Sequence, residues 1–354
     1  MIIPVPALWG RQRREPSTDR IDQVLYNRTH RLIAGLSIDD RFASIQGVLV
    51  VAVGHGKFIR LKHCVEVSAP IPTTIQVGCR AIHQTQRPDL SQFAPLLSDL
   101  AELQAIVVEK IKCHAGKYVD RVMAVAVVDP GVWTADFDQR ISYSSFCDAA
   151  RLAEQSGVNV IDDFPARDLT VGGRGQNLEA LPWWLLAAER NERVSNCRRS
   201  LLLVGDSVVL YHLPASDGLD ADLPAIERHV LTDVQELGEL LRLNRSEQPH
   251  ELLIAAPSEI EIALIQQFSQ SLPWLSVAGI STLGFSSTAI PAVVASLLGL
   301  LHIDQMPANV PWLTGAASQR ILGRLTPGRP ANWRQLIRAM ADFQPAAMRL
   351  KDAV

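Results

Sequence analysis

An apolar run, Val158-Asn-Val-Ile, leads directly into Asp162-Asp163-Phe-Pro-Ala-Arg167-Asp168-Leu-Thr-Val-Gly172-Gly173-Arg174-Gly175. Carboxylates at the carboxyl end of a strand face the crevice where α/β proteins bind ligands. A carboxylate held there can take a proton from water or a hydroxyl if its pKa suits the task. The glycines lack Cβ atoms and let the backbone approach a ligand closely. The same residues also make an ordinary strand-ending turn followed by a surface glycine loop. On pattern alone the two readings weigh about equally, because a glycine-rich match is weak by itself.

Other segments carry less. Gly205-Asp206-Ser207 has the block of the SGNH esterases, but those need an Asp-x-x-His near the C-terminus and this chain has none. Gly, Asp and Ser are ordinary residues of a tight hairpin. Gly54-His55-Gly56 reads as a turn as well. Trp183 and Trp184 could stack on a sugar ring, but on an apolar helix aromatic residues more often pack in a core. His114 beside Cys113 has no further ligands at metal-binding spacing, so no metal site is expected.

These residues must be positioned by regular elements. Val48 to Val53 and Lys57 to Val67 read as a hairpin around the glycine turn. Leu96, Leu100, Leu103, Val107 and Ile111 share one helical face. Val122–Val128 reads as a strand ended by Asp129-Pro130-Gly131. The later chain alternates: strand 158–161, helix 178–190, hairpin 201–213, helix 233–243 opened by a Thr232/Gln235 capping box, and strand 252–256. A helix capped by Ser258 and Glu261 follows, then an apolar helix 289–301 and an amphipathic helix 333–343. Hairpins first and β/α units later indicate an α/β protein. A length of 354 residues suits two domains.

Hydrophobic content is 47% and net charge −3, as for a folded protein with no basic field for nucleic acid. The cysteines (Cys64, Cys79, Cys113, Cys147, Cys197) are scattered, which reads as reduced thiols in a cytoplasmic protein. The arginines at 11, 13 and 14 follow the first apolar run, the wrong order for a signal peptide, and no run is long enough to span a membrane. Residues 1–22 read as a flexible arm.

The central segment resembles that of the anhydro-N-acetylmuramic acid kinases. In that family Asp-Phe-Arg-x-x-Asp and Gly-Gly-x-Gly follow a strand, and Asp163-Phe164, Arg167-Asp168, Gly172, Gly173 and Gly175 fall in register. Asp148 to Gly157 is similar to the preceding helix. Asn309-Val-Pro311-Trp-Leu-Thr314-Gly315-Ala316 is similar to the family's Asn-x-Pro-x-x-Thr-Gly-Ala. Ala34-Gly35-Leu36-Ser37-Ile-Asp39-Asp40 resembles its first phosphate loop. The resemblance implies an actin-like, two-lobed fold of the hexokinase–Hsp70–actin type with an interdomain cleft. We expect residues 23–127 plus about 325–354 in one lobe and 128–324 in the other. It implies Mg-ATP as cosubstrate, an amino sugar as ligand, and raises a homodimer. By position Asp163 is the general base. Arg167, Asp168, Gly172 and Gly173 shape the sugar side or fix the loop, and Gly35, Ser37, Asp39 and Gly205 approach the nucleotide.

The chain departs from the family where ATP should bind. Leu36 replaces a Thr and Asp40 a Gly in the first loop. The second keeps one glycine in Gly205-Asp206-Ser207, and the third has become Ala255-Ala256-Pro257, where Pro257 lacks an N–H. On the sugar side, Val128 to Trp133 stands for a Gly-His-Gly-Gln-Thr element, and Pro291 for a glutamate. These losses favour a divergent kinase-like protein with weakened or lost phosphorylation, which without turnover needs no cofactor. An active kinase of cell-wall amino sugar recycling and a non-catalytic sugar-binding or interaction protein are the alternatives. Asp40 and Asp206 could coordinate a cation.

Overall fold

A computed structural model describes residues 30–85, 89–135, 140–187, 199–205, 207–214, 223–233, 236–237, 241 and 249–342. The 1–22 arm, Asp206 and Cys197 lie outside them.

Strands β1 (Arg31–Ile38), β2 (Ser44–Val53) and β3 (Arg60–Pro70) form an antiparallel meander. Helices α1 (Thr73–His83) and α2 (Leu90–Ala115) lead to β4 (Val122–Val128), which lies parallel to β1. A two-stranded ribbon, β5 (Val132–Ala135) with β6 (Ile141–Ser144), projects beyond it. Helix α3 (Ala149–Ser156), capped by Asp148, returns the chain to β7 (Asn159–Asp162), parallel to β4. Then come α4 (Phe164–Leu169) and α5 (Ala180–Ala187).

The second half repeats the plan. β8 (Arg199–Val204), β9 (Val208–Leu213) and β10 (Glu227–Leu231) are an antiparallel meander. β11 (Glu251–Ala255), helix α6 (Ser258–Ser271) and β12 (Ser276–Gly279) add two parallel strands. The chain finishes with α7 (Ile290–Ile303), α8 (Pro311–Thr314), β13 (Arg324–Thr326) and α9 (Pro330–Asp342).

The sheets run β13-β7-β4-β1-β2-β3 and β10-β9-β8-β11-β12. With β13 set aside, each has its own strands in the order third, second, first, fourth, fifth. One ββββ-β unit thus occurs twice, the plan of a two-lobed actin-like protein. The strand that carries the aspartate segment, β7, belongs to the first sheet. Strands therefore cross the division at residue 128 read from the sequence, because parallel pairing with β4 claims β7.

Helix α7 is apolar on all sides and is buried on nearly all of them. It lies in a core that also holds Ile33, Val48 and Ala126 of the first sheet and Leu201, Tyr211 and Leu253 of the second. Its approach to β1 requires Gly35, where a Cβ would collide with the Ala292 carbonyl. Two caps differ from expectation. Pro257, not Ser258, is the N-cap of α6, with no side-chain hydrogen bond. Asp233 accepts from the Glu236 N–H (3.1 Å) while the Glu236 carboxylate accepts from the Thr232 N–H (2.8 Å), one position later than the Thr232/Gln235 box.

Candidate functional site

Asn159 anchors the start of β7. Its side chain donates to the Met123 carbonyl (2.8 Å) and accepts from the Gly328 N–H (2.9 Å), while its own N–H reaches the Asn332 side chain (2.8 Å). Asp162 ends the strand fully buried, held by Arg324 from β13 through Nη2 (2.7 Å) and Nε (3.3 Å). Burial outweighs that guanidinium and pushes the Asp162 carboxyl up to about 6.

Asp163 is the pivot between strand and helix. It sits in the left-handed region (φ 58°, ψ 40°) as the N-cap of α4, with Pro165 in the first turn. An L-residue there costs about 1–2 kcal/mol, and Asp is among the side chains that tolerate it. Asp163 lies 3.8 Å from Arg324 Nη1. Its Oδ1 is buried without a hydrogen-bond partner. Burial raises its pKa and Arg324 opposes the rise. A half-buried carboxylate with a raised pKa and a free lone pair has the character of a general base.

The glycine loop is built on Asp168. That carboxylate is fully buried, accepting from the Gly175 N–H (2.9 Å) through Oδ2 and from Asn309 Nδ2 (2.8 Å) through Oδ1. The backbone of Gly173 packs so tightly on it that a Cβ would overlap Oδ2. Arg174 N–H donates to the Thr314 carbonyl (2.9 Å), and Asn177 Nδ2 to that of Leu313 (3.1 Å). The Asn309–Ala316 motif and the aspartate segment, far apart in the chain, therefore form one structure.

Above the end of β4, Asp129 gathers four donors: Gly131 N–H (2.8 Å), Tyr143 hydroxyl (3.1 Å), Phe146 N–H (2.9 Å) and Ser145 hydroxyl (2.6 Å). Burial still drives its pKa upward. This hub fixes the β5–β6 ribbon, where Trp133 and Tyr143 meet edge to face at 4.9 Å.

A cavity of about 570 Å³ opens beside these elements. Its wall takes in Phe164 and Pro165 next to Asp163, the loop residues Gly175 to Glu179, Trp133 and Tyr143 of the ribbon, Asp40 of the first hairpin, Leu203 of β8, and Pro291 in the first turn of α7. Among the described residues its carboxylates are Asp40, Asp129 and Glu179, and no Lys, Arg or His lines it. Glu179 accepts from the Tyr211 hydroxyl (2.6 Å), which in turn accepts from Arg228 Nε (3.2 Å). Trp133 places an aromatic side chain in the wall, at the segment that stands for the family's Gly-His-Gly-Gln-Thr element.

The residues singled out in sequence divide. Asp168 and Gly173 come together as the loop's foundation, whereas Asp163 precedes Phe164 and Pro165 of the cavity wall and does not itself line the cavity. Gly172 (φ 81°) is open, and Arg167 is exposed on α4, its charge felt at His302. The nucleotide-loop candidates are otherwise engaged. Gly35 lies under α7, and Ser37 is buried. Asp39 closes the β1–β2 turn, its carboxylate accepting from the Ala43 N–H (2.9 Å) and its carbonyl from the Phe42 N–H (2.9 Å). Gly205 N–H is taken by the Ser207 carbonyl (3.1 Å). At the third loop the Glu261 carboxylate accepts from the Ala256 N–H. Among the described residues no three His, Cys, Asp or Glu side chains gather as a metal site, and no helix is long and apolar enough to cross a membrane. Sequence reading missed the roles of Asp129, Glu179, Glu261 and Arg324, because nothing local marks a partner from another element.

A duplicated α/β unit with a cavity between its halves and an acid at a strand end defines a sugar-kinase-like protein. Residues 40–196 and 229–328 match the family model for anhydro-N-acetylmuramic acid kinase. The chain belongs to that family. Asp163, Arg167, Asp168, Gly172 and Gly173 lie within the matched stretches, whereas Gly35, Ser37, Asp39 and Gly205 lie outside them. Among solved structures, an inorganic polyphosphate/ATP-glucomannokinase from Arthrobacter sp. strain KM is 12% identical, with 75% of this chain and 97% of that one covered and a TM-score of 0.35. A ROK family glucokinase from Streptomyces griseus, solved with glucose and AMPPNP, is 10% identical, covers 75% and 98%, and has a TM-score of 0.36.

Proposed function

We propose that this family member keeps a sugar-binding cleft and has weakened or lost ATP-dependent phosphorylation. The observation that carries the reading is the charge of the cavity wall: carboxylates at Asp40, Asp129 and Glu179, and no cation among the described residues. Phosphoryl transfer depends on neutralising phosphate charge. A carboxylate about 5 Å from one phosphate charge costs roughly 3 kcal/mol at an effective dielectric near 20, about two powers of ten in affinity. The loop N–H groups that could offset this are engaged in their own turns at Phe42, Ala43 and Gly205, and Ala256 faces Glu261. On this reading Asp163 is a retained catalytic base, the Asp168–Gly173 loop is retained scaffolding, and the ligand is an amino sugar. Free thiols at Cys64, Cys79, Cys113 and Cys147 support a cytoplasmic setting.

One observation favours the competing reading of an active kinase that opens the 1,6-anhydro bond with Mg-ATP: the unpartnered Oδ1 of Asp163. Calorimetry with Mg-ATP, and product analysis with Mg-ATP and anhydro-N-acetylmuramic acid, separate the two. We expect no saturable nucleotide binding below millimolar concentration and no phosphorylated product. Micromolar, Mg-dependent binding with turnover abolished by Asp163→Asn would establish the active kinase instead.

A further inference from the structure

The carboxyl end of the second sheet already holds an anion, and the chain itself supplies it. Strands β8, β11 and β12 run parallel, with Ala255 opposite Leu203 and Gly279 opposite Ile254. Leu203 lines the cavity, so the ends of these strands lie beside it. Ligands of parallel α/β sheets bind off the carboxyl ends of the strands, and a helix that starts there offers N–H groups and a positive dipole end to an anion. Helix α6 is such a helix: it runs for 14 residues, and its N-cap, Pro257, makes no side-chain hydrogen bond.

What fills the place is Glu261, in the first turn of α6. Its carboxylate accepts from the Ala256 N–H. It also lies against Gly279, where a Cβ would overlap Oε1. Gly279 has φ −79° and ψ 156°, a conformation open to any residue, so the bare Cα serves here to make room for the carboxylate. The β11–α6 loop and the last residue of β12 therefore converge on one acidic group. Helix capping alone does not account for it. Asp89, which caps α2 through the Ser91 N–H (2.9 Å), has its pKa lowered by that bond. At Glu261 burial outweighs the Ala256 N–H and raises the pKa, so its ionisation works against folding. Carboxylates held against their solvation in this way cluster at functional sites.

We propose that Glu261 is a built-in competitor for an oxyanion: its carboxylate fills the anion position between Ala256 and Gly279 and closes it to a phosphate or sulfate group. The contact is autoinhibitory. It rests on the reading of weakened or lost phosphorylation for its role, which is to keep a nucleotide's phosphates from this end of the sheet.

The test is a sulfate titration of the full chain, read from the backbone amide NMR signals of Ala256 and Gly279, in wild type, Glu261→Ala and Glu261→Gln. Sulfate has the shape and charge of a phosphate group and keeps that charge near neutral pH. In Glu261→Ala we expect saturable shifts of both signals, with sulfate bound at least about tenfold tighter than by wild type. Glu261→Gln, which removes the charge and keeps the bulk, should also bind sulfate more tightly than wild type. Gly279→Ala should lower the urea midpoint of wild type and leave that of Glu261→Ala nearly unchanged. Signals that sulfate leaves unmoved in Glu261→Ala, or moves as readily in wild type, overturn the proposal. So does a Glu261→Gln variant that behaves as wild type, or an equal cost of Gly279→Ala in both backgrounds. Micromolar, Mg-dependent ATP binding by wild type that leaves the Ala256 signal unmoved refutes only the reading of lost phosphorylation.

Discussion

Replacing Gly173 by Ala should be among the most damaging single-methyl changes in the protein. The new Cβ overlaps Asp168 Oδ2, and that carboxylate has nowhere to go. It is fully buried and fixed at both oxygens, by Gly175 N–H at 2.9 Å and Asn309 Nδ2 at 2.8 Å. Relieving the overlap means giving up both bonds or moving the loop. Hydrogen bonds to a charged group contribute about 1.5–3 kcal/mol each, so the cost is about 3–6 kcal/mol. That is a large share of the roughly 5–15 kcal/mol by which folded proteins are stable. Gly172→Ala is the natural control. Its φ of 81° strains an L-residue by about 1–2 kcal/mol, but its Cβ meets nothing. Urea denaturation of both variants measures the difference. In an Asp168→Ala background the overlap is gone, so adding Gly173→Ala should cost little, leaving a coupling of about 3 kcal/mol or more. If Gly173→Ala costs no more than Gly172→Ala, or if its cost is unchanged without Asp168, the account of the loop is wrong.

Two further outcomes are expected. The folded pKa of Asp162, about 6, lies above the unfolded carboxylate value, so the native state holds the proton more tightly. Its burial penalty is absent below the unfolded pKa and grows as pH rises to about 6, reaching roughly 3 kcal/mol. Arg324→Ala removes the group that lowers this pKa, so the urea midpoint of that variant should fall more steeply than wild type between pH 5 and pH 8. A pH-independent difference would contradict the assignment. Burial pushes the Cys64 and Cys79 thiols up to about 12. At pH 8 both should resist a thiol reagent until the protein unfolds, while exposed Cys113 reacts at once.

Much of the local structure was legible in the residues. β4 occupies Val122–Val128 as the apolar run indicated, and the Leu96–Ile111 stripe is one face of α2. The apolar stretch 289–301 became the central helix α7. Each of these rests on a periodicity of two or 3.6 residues, which the chain carries within itself. The order of motifs likewise pointed to the family, and the aspartate segment to a strand end.

What the sequence alone could not determine was which residues meet. Asn309 reaches Asp168 across 141 positions and Arg324 reaches Asp162 across 162, and no local pattern encodes either pairing. Gly35 looked like a loop glycine but serves helix packing, because the register of β1 under α7 decides where a missing Cβ is needed. The acidic wall exists only where the ends of two sheets converge. Periodicity is a property of neighbours in the chain. Charge, burial and hydrogen-bond partners are properties of neighbours in space, and only the fold chooses those.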